Sequence, residues 1–237
     1  MSDEARTAYD QWHASSAGTQ DDPAWHAFVK ARLSGSLDGL RILEIGCGDG
    51  RLAVELGRRG ADVVAADFSP VAVQMAEERA RQEGVGTVEA RVEDIQSLPD
   101  SDASFDIVVS CETIEHVPHP PTAIGELVRV LKPGGTLLLT TPNYLGPMGL
   151  YRGYLRLRGR RYTEEGQPIN RFTLAPRTSW WLRRAGLAVK RSERRELHLP
   201  VPGRPLQVLH GPRALVRLLG FRSLFEATKP GGSTEAG

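Results

Sequence analysis

Cys111-Glu112-Thr113-Ile114-Glu115-His116 sets two carboxylates and an imidazole within one short segment. Glu112, Glu115 and His116 can present two oxygens and one nitrogen to a divalent ion such as magnesium. A metal there would act as a Lewis acid toward a bound hydroxyl. Without a metal, His116 near its ordinary pKa of about 6.5 can take a proton from a phenol or alcohol. Plain packing is the third reading, and all three stay open at this level. A metal would want a further ligand. His13, His26 and His198 are candidates, whereas His119 lies between Pro118 and Pro120 and is expected to point away.

The second chemical segment is Glu44-Ile45-Gly46-Cys47-Gly48-Asp49-Gly50. Glycines at alternate positions let a backbone turn sharply and approach a ligand. The dinucleotide spacing is G-x-G-x-x-G, with pyrophosphate on a helix N-terminus. Here the third glycine is out of that register, and Glu44 would repel a pyrophosphate. Glu44 suits a ligand carrying an ammonium or sulfonium instead. Asp67, 17 positions after Gly50, is placed to accept from both hydroxyls of a ribose. Asp94 could accept from an adenine amino group, with Ile95 packed on the ring. An adenosine carrying an amino acid fits this set.

These segments need strands to end beside them. Leu40–Ile45, Asp62–Ala66, Thr87–Val92, Phe105–Ser110 and Thr136–Thr141 read as short apolar strands. Between them, Leu52–Arg59, Pro70–Glu83 and Pro121–Leu131 read as helices, the second with a Ser69 N-cap and a Gly84 stop. The alternation predicts an α/β fold with a mostly parallel sheet covered on both faces. Ligands of such sheets bind beyond the carboxyl ends of the strands. Residues 1–38 read as two short helices, the second starting near Asp21-Asp22-Pro23. Further on, Arg177–Ala185 reads as a helix, Leu187–Glu196 as a strand and Val201–Pro212 as loop. Ala214–Phe225 reads as an amphipathic helix with Leu215, Leu218, Leu219 and Phe221 inward. The expected division is a helical cap over 1–38, a cofactor-binding core over 39–143, an acceptor lid and remaining strands over 144–228, and a disordered tail over 229–237.

Five segments, ILEIGCGDG at 42–50, VVAADFSP at 63–70, VEDIQSLP at 92–99, FDIVVSCETIEHV at 105–117 and LKPGGTLLLTTPN at 131–143, resemble the class I S-adenosylmethionine-dependent methyltransferases. ETIEHVPHP is similar to the matching stretch of the ubiquinone-biosynthesis O-methyltransferases, and also to small-RNA terminal 2′-O-methyltransferases that bind a metal. The resemblance implies a Rossmann-like sheet of seven strands, mostly parallel, with helices on both faces and the last strand antiparallel. It implies S-adenosylmethionine as cofactor, with magnesium or another divalent metal as an open addition. Glu44, Gly46, Cys47, Gly48, Gly50, Asp67, Phe68, Asp94, Ile95 and Cys111 would then contact the cofactor. His116 and Glu115 would act on the acceptor, and Glu112, Glu115 and His116 would be the metal set.

Composition excludes several classes. The 237 residues carry a formal net charge of +1 and only two cysteines, Cys47 and Cys111, so a disulfide scaffold is ruled out. No apolar run is long enough to span a membrane. The first residues are polar and acidic, unlike a secretory signal, and the expected compartment is the cytoplasm. The near-neutral total hides a split: residues 1–144 hold 12 Lys/Arg and 23 Asp/Glu, whereas 145–237 hold 18 and 6. The two halves could pair with each other, or the basic part could meet an anionic partner. Arg152–Arg161, interleaved with Tyr151, Tyr154, Leu155 and Leu157, could rest on the inner face of an anionic membrane. It could also grip an anionic acceptor or form a solvated face. Thr163–Thr173 reads as part of the acceptor entrance. The leading expectation is O-methylation of a small-molecule hydroxyl, such as a quinone precursor, polyketide, sugar or lipid-linked intermediate. The alternatives are a metal-dependent RNA 2′-O-methyltransferase and a non-catalytic S-adenosylmethionine-binding domain. No RNA-binding module is recognisable, so a nucleic-acid partner is not expected.

Overall fold

The computed structural model describes residues 2–16, 24–162, 167, 169–200, 207–209 and 212–231. Two helices come first, α1 (Asp3–Ser16) and α2 (Ala24–Arg32). Strands and helices then alternate as β1 (Arg41–Ile45), α3 (Arg51–Arg58), β2 (Asp62–Asp67), α4 (Pro70–Gln82), β3 (Val88–Val92) and β4 (Phe105–Cys111). After one 3₁₀ turn at Ile114–His116 come α5 (Pro120–Val130) and β5 (Leu131–Pro142). The remainder is α6 (Pro147–Leu157), α7 (Ala175–Arg184), β6 (Ala188–Arg195), β7 (Leu197–Leu199), β8 (Gln207–Leu209), α8 (Arg213–Leu219) and β9 (Arg222–Thr228).

Seven strands form one sheet in the order β3-β2-β1-β4-β5-β9-β6. The pairs from β3 to β5 are parallel, and β9 runs antiparallel to both β5 and β6. The chain winds outward from β1 to β3, then returns to lay β4 on the other side of β1. The carboxyl ends of β1 and β4 therefore flank the switch point where such sheets bind ligands.

Period-two alternation sorts the strand residues between two cores. Leu43, Ile45, Val64, Val108, Leu137, Leu139 and Phe225 pack on one face with α5 and α7. Ile42, Val63, Ala65, Val109, Leu138 and Leu224 pack on the other with α2 and α3. Ser69 caps α4 by accepting from the Ala72 N–H at 3.3 Å, and Gly84 leaves the helix at φ +67°.

The structure differs from the sequence expectation in four places. The amphipathic helix over 214–225 is only α8, which buries none of its residues; Leu215 and Leu218 are exposed. Its i, i+3, i+4 spacing was outweighed by a partnerless sheet position: Leu224 and Phe225 point to opposite faces and fill both cores as part of β9. The Lys132-Pro133-Gly134-Gly135 stop falls inside β5, because Leu131 already pairs with Phe105 before a register shift. In the stretch read as loop, Gln207–Leu209 pairs with β7 as a two-stranded ribbon, while 201–206, 210 and 211 lie outside the described residues. Of the tail, 232–237 lie outside them too, but Lys229 is fixed, its Nζ donating to the carbonyls of Val128 and Leu131 at 2.8 and 2.7 Å. Among the described residues, no helix is long and apolar enough to cross a membrane.

Candidate active site

The carboxyl ends of β1, β2, β3 and β4 open into a cavity of about 270 Å³. Gly46, Cys47, Gly48 and Asp49 line it from the turn after β1, Asp67 and Phe68 from the end of β2, and Glu93 and Ile95 from beyond β3. Cys111, Glu112, Thr113, Glu115 and His116 line it after β4. Tyr9, Trp12 and His13 of α1, with Trp25 and His26 of α2, complete the enclosure.

The glycine turn is pinned to β2. The N–H groups of Gly46 and Cys47 both donate to the Ala66 carbonyl, at 2.8 and 3.0 Å. Asp67 then closes the turn: Oδ2 accepts from Gly48 N–H at 3.0 Å and Oδ1 from Ser69 N–H at 2.9 Å. Each oxygen keeps a further lone pair. Gly48 has φ +53°, and a Cβ there would find only the His13 ring, 3.9 Å away. The turn therefore leaves room directly over its backbone. A carboxylate that can accept twice more, beside an open backbone cradle, fits the hydroxyl pair and close approach of an adenosine.

Not every expected contact is in the cavity wall. Glu44 is buried and does not line it; it accepts from the Ala53 N–H and burial lifts its carboxyl well above the ordinary range. It joins β1 to α3 beneath the turn and does not face a ligand's cation across the cavity. Gly50 is also outside the wall, because α4 packs on it: a Cβ there would lie 2.6 Å from the Ala76 Cβ. Asp94 turns its Oδ1 back to the N–H of Gln96 at 2.9 Å, while its neighbours Glu93 and Ile95 face the cavity. Cys47 and Cys111 line it, and burial pushes both thiols well up, which favours their neutral form.

Glu115 and His116 sit on the 3₁₀ turn, both buried. Glu115 Oε2 accepts from Thr141 Oγ1 at 3.0 Å. His116 Nδ1 faces the Ile169 carbonyl, which can only accept, so Nδ1 carries the proton and Nε2 the lone pair. That nitrogen is 3.6 Å from Glu115 Oε1. Burial pushes the imidazole pKa down to about 4, against the hydrogen bond to Ile169 that favours the charged form. The ring is therefore neutral at pH 7. Glu112, at φ +49°, occupies the left-handed region that a non-glycine residue rarely adopts.

The metal set does not form. Among the described residues, no three His, Cys, Asp or Glu side chains converge on one point. Glu115 is turned to Thr141 and His116 has one nitrogen committed to Ile169. His198 is engaged elsewhere, with Nε2 on Glu196 Oε2 at 3.1 Å and its ring on Phe221. His119 caps α5 and its N–H donates to Gln96.

The entrance segment lies partly outside the described residues, which here are 167 and 169–173. What is described straps the site. Arg171 N–H donates to the Glu115 carbonyl at 2.9 Å and its Nε to the Val117 carbonyl at 2.6 Å. Tyr9 Oη donates to the same Ile169 carbonyl at 3.4 Å, and burial raises its phenol. Ile169 falls in the segment read as the acceptor entrance, whereas Tyr9, Thr141 and Arg222 were not legible as site residues. Each acts through a contact more than 25 positions away, and only Tyr9 carried a signal, as an aromatic on a capping helix.

Sheet, reversed strand, glycine turn and terminal β2 aspartate together form a Rossmann-like domain, a fold shared with solved methyltransferase chains. Residues 43–139 match the family model described as a methyltransferase domain. Two relatives are ubiquinone biosynthesis O-methyltransferases. That of Alkalilimnicola ehrlichii is 42% identical over 114 residues, 48% of this chain and 46% of that protein. That of Xanthomonas oryzae pv. oryzae is 41% identical over 117 residues, 49% and 48%. The chain thus spans about half the length of these curated relatives. A solved Haloferax volcanii chain, in complex with the Trm112 methyltransferase activator, shares the fold at TM-score 0.70 and 22% identity, covering 98% of this chain and 100% of its own.

Proposed function

We propose that the protein methylates a hydroxyl oxygen of a small molecule with S-adenosylmethionine as donor. The observation that carries this reading is His116 in the wall of the cavity that also holds Asp67 and the glycine turn, with Nδ1 committed to the Ile169 carbonyl and Nε2 3.6 Å from Glu115 Oε1. The curated relatives' names, which specify O-methylation in ubiquinone biosynthesis, support oxygen as the accepting atom.

S-adenosylmethionine supplies an electrophilic methyl group on a good leaving group. Asp67 and the Gly46–Gly48 backbone would hold its nucleoside. Tyr9, Trp12 and His13 exclude water. The enzyme's remaining task is alignment and removal of one proton. His116 takes that proton at Nε2. A base of pKa about 4 is too weak to ionise a phenol beforehand. It is strong enough once the oxygen has begun to bond to carbon, because the oxygen's proton is then far more acidic. Proton transfer therefore accompanies or follows bond formation. The strap through Ile169 fixes the tautomer this requires.

The test is release of S-adenosylhomocysteine with a panel of catechols and hydroxybenzoates. Acceptor-dependent release that falls about 100-fold or more in His116→Gln, at unchanged S-adenosylhomocysteine affinity, is the expected result. Cofactor binding without release on any acceptor would favour a non-catalytic binding domain. Release is also compared with and without EDTA, and persistence is the result expected of His116 acting as the base without a metal.

We also propose that α6 rests on an anionic surface. Leu150, Tyr154 and Leu157 are exposed on it beside exposed Arg156, Arg158, Arg160 and Arg161.

A further inference from the structure

The cavity wall contains a cation that proton removal does not use. Five carboxylates line the cavity, Asp49, Asp67, Glu93, Glu112 and Glu115, against two arginines. Arg51 pairs with a carboxylate of the wall itself, its Nε 2.7 Å from Asp49 Oδ2. Arg222 is different. It is the first residue of β9, opposite Pro142 at the end of β5, so it sits at the same edge of the sheet as the glycine turn. Its Nε donates to Glu196 Oε2 at 2.9 Å, and Glu196 is not part of the cavity wall. The guanidinium lies over the Trp25 ring, 4.6 Å from the centroid, and Trp25 is in the wall.

This arrangement holds the group from one side and one edge. A guanidinium has a second edge, the pair of terminal nitrogens, with the spacing of a carboxylate. Glu196 is itself fixed: it has φ +57°, its carbonyl accepts from Phe221 N–H at 2.7 Å, and its Oε2 also accepts from His198. The side chain behind Arg222 is thus built into the backbone, and little rotamer freedom remains to be lost on binding.

We infer that Arg222, stacked on Trp25 and anchored by Glu196, is the residue that takes the carboxylate of a ligand in this cavity. Two ligands could bring one: the amino-acid end of the cofactor, or a carboxylated acceptor. The inference rests on the methyltransferase reading of the cavity. Its absence from that reading is simple: removing a proton needs no cation, whereas holding an anion among five carboxylates does.

Calorimetry on Arg222→Gln and Arg222→Lys distinguishes the sources. S-adenosylhomocysteine is compared with 5′-methylthioadenosine, which has the nucleoside but no carboxylate. An S-adenosylhomocysteine affinity at least about 10-fold lower in Arg222→Gln, with 5′-methylthioadenosine unchanged, assigns Arg222 to the cofactor. The other arm titrates 3,4-dihydroxybenzoate and catechol into protein saturated with S-adenosylhomocysteine. Loss of the benzoate alone in Arg222→Gln assigns Arg222 to the acceptor. In either case Arg222→Lys, keeping the charge but not the fork, should fall between. The 5′-methylthioadenosine titration also reports that each variant is folded. If Arg222→Gln binds S-adenosylhomocysteine within twofold of wild type and leaves the benzoate result unaltered, Arg222 is only a strand-end ion pair and the inference is overturned. If wild type binds neither adenosine compound, the methyltransferase reading itself fails.

Discussion

His116 shows how burial can set chemistry at a single residue. Its pKa of about 4 lies below the ordinary 6.5, and the cause is desolvation of the charged ring. Between those values the unfolded chain binds a proton that the folded chain does not, so stability rises with pH across that window. Lowering the pH from 7 to 4 should cost up to about 3 kcal/mol through this residue alone. Urea denaturation of wild type and His116→Gln at pH 7 and pH 4.5 checks it: the acid loss should shrink in the variant, whose amide can still donate to Ile169. His198 is depressed in the same direction, first by burial, and leaves a smaller acid slope in both proteins. Asp67 belongs at this scale as well. Replacing it by Ala removes two acceptors for a ribose and releases Gly48 N–H. S-adenosylhomocysteine affinity should drop on the order of 10- to 100-fold, read by calorimetry; unchanged affinity would refute the ribose assignment.

The turn between β1 and α3 shows the same separation of tasks among neighbouring glycines. Gly50 has φ +74° and touches Ala76 of α4, whereas Gly48 has φ +53° and touches almost nothing. Gly50→Ala should therefore cost about 2–4 kcal/mol, the left-handed penalty plus overpacking against a helix. Gly48→Ala should cost about 1–2 kcal/mol and yet weaken S-adenosylhomocysteine binding more, because its methyl enters the cradle. Denaturation and calorimetry on the same two variants test the contrast, and equal losses of stability would contradict it. The turn was legible because it depends on nearest neighbours: an apolar run, three glycines, then helix formers. The strands through Thr141 were legible for the same reason. What escaped was decided at long range. Glu44 looks like a mouth residue by spacing, but strand parity sends it under the turn to Ala53. Leu224 and Phe225 fit a helical period, but the vacant position between β5 and β6 makes them a strand. Arg222 became a wall residue only because β9 runs antiparallel and starts at the ligand edge.

Across the whole molecule the charge split has to be accounted for. Mutual neutralisation of the acidic and basic parts finds no support in Arg32, which pairs with Glu193 and Glu226 at 3.1 Å each: here the acidic part supplies the cation. Within Arg152–Arg161 the arginines also differ. Arg152 is half-buried, its Nη2 on the Asn170 carbonyl at 2.6 Å and its guanidinium 4.5 Å from the Tyr144 centroid, so it belongs to the strap. Arg156, Arg158, Arg160 and Arg161 are exposed, and Leu150 and Leu157 beside them are 79% and 89% exposed. A short helix with apolar side chains left in water, next to cations, gains from an interface that takes both. Each Lys or Arg near an anionic bilayer contributes about 1 kcal/mol, and the attraction fades within a Debye length. The protein should therefore sediment with phosphatidylglycerol-containing vesicles at low salt, release as salt rises, and ignore phosphatidylcholine vesicles. Replacing the four exposed arginines by Gln should abolish sedimentation, while Arg152→Gln should instead loosen the 169–173 strap and leave sedimentation intact. If wild type stays in the supernatant with anionic vesicles at low salt, α6 is a solvated face.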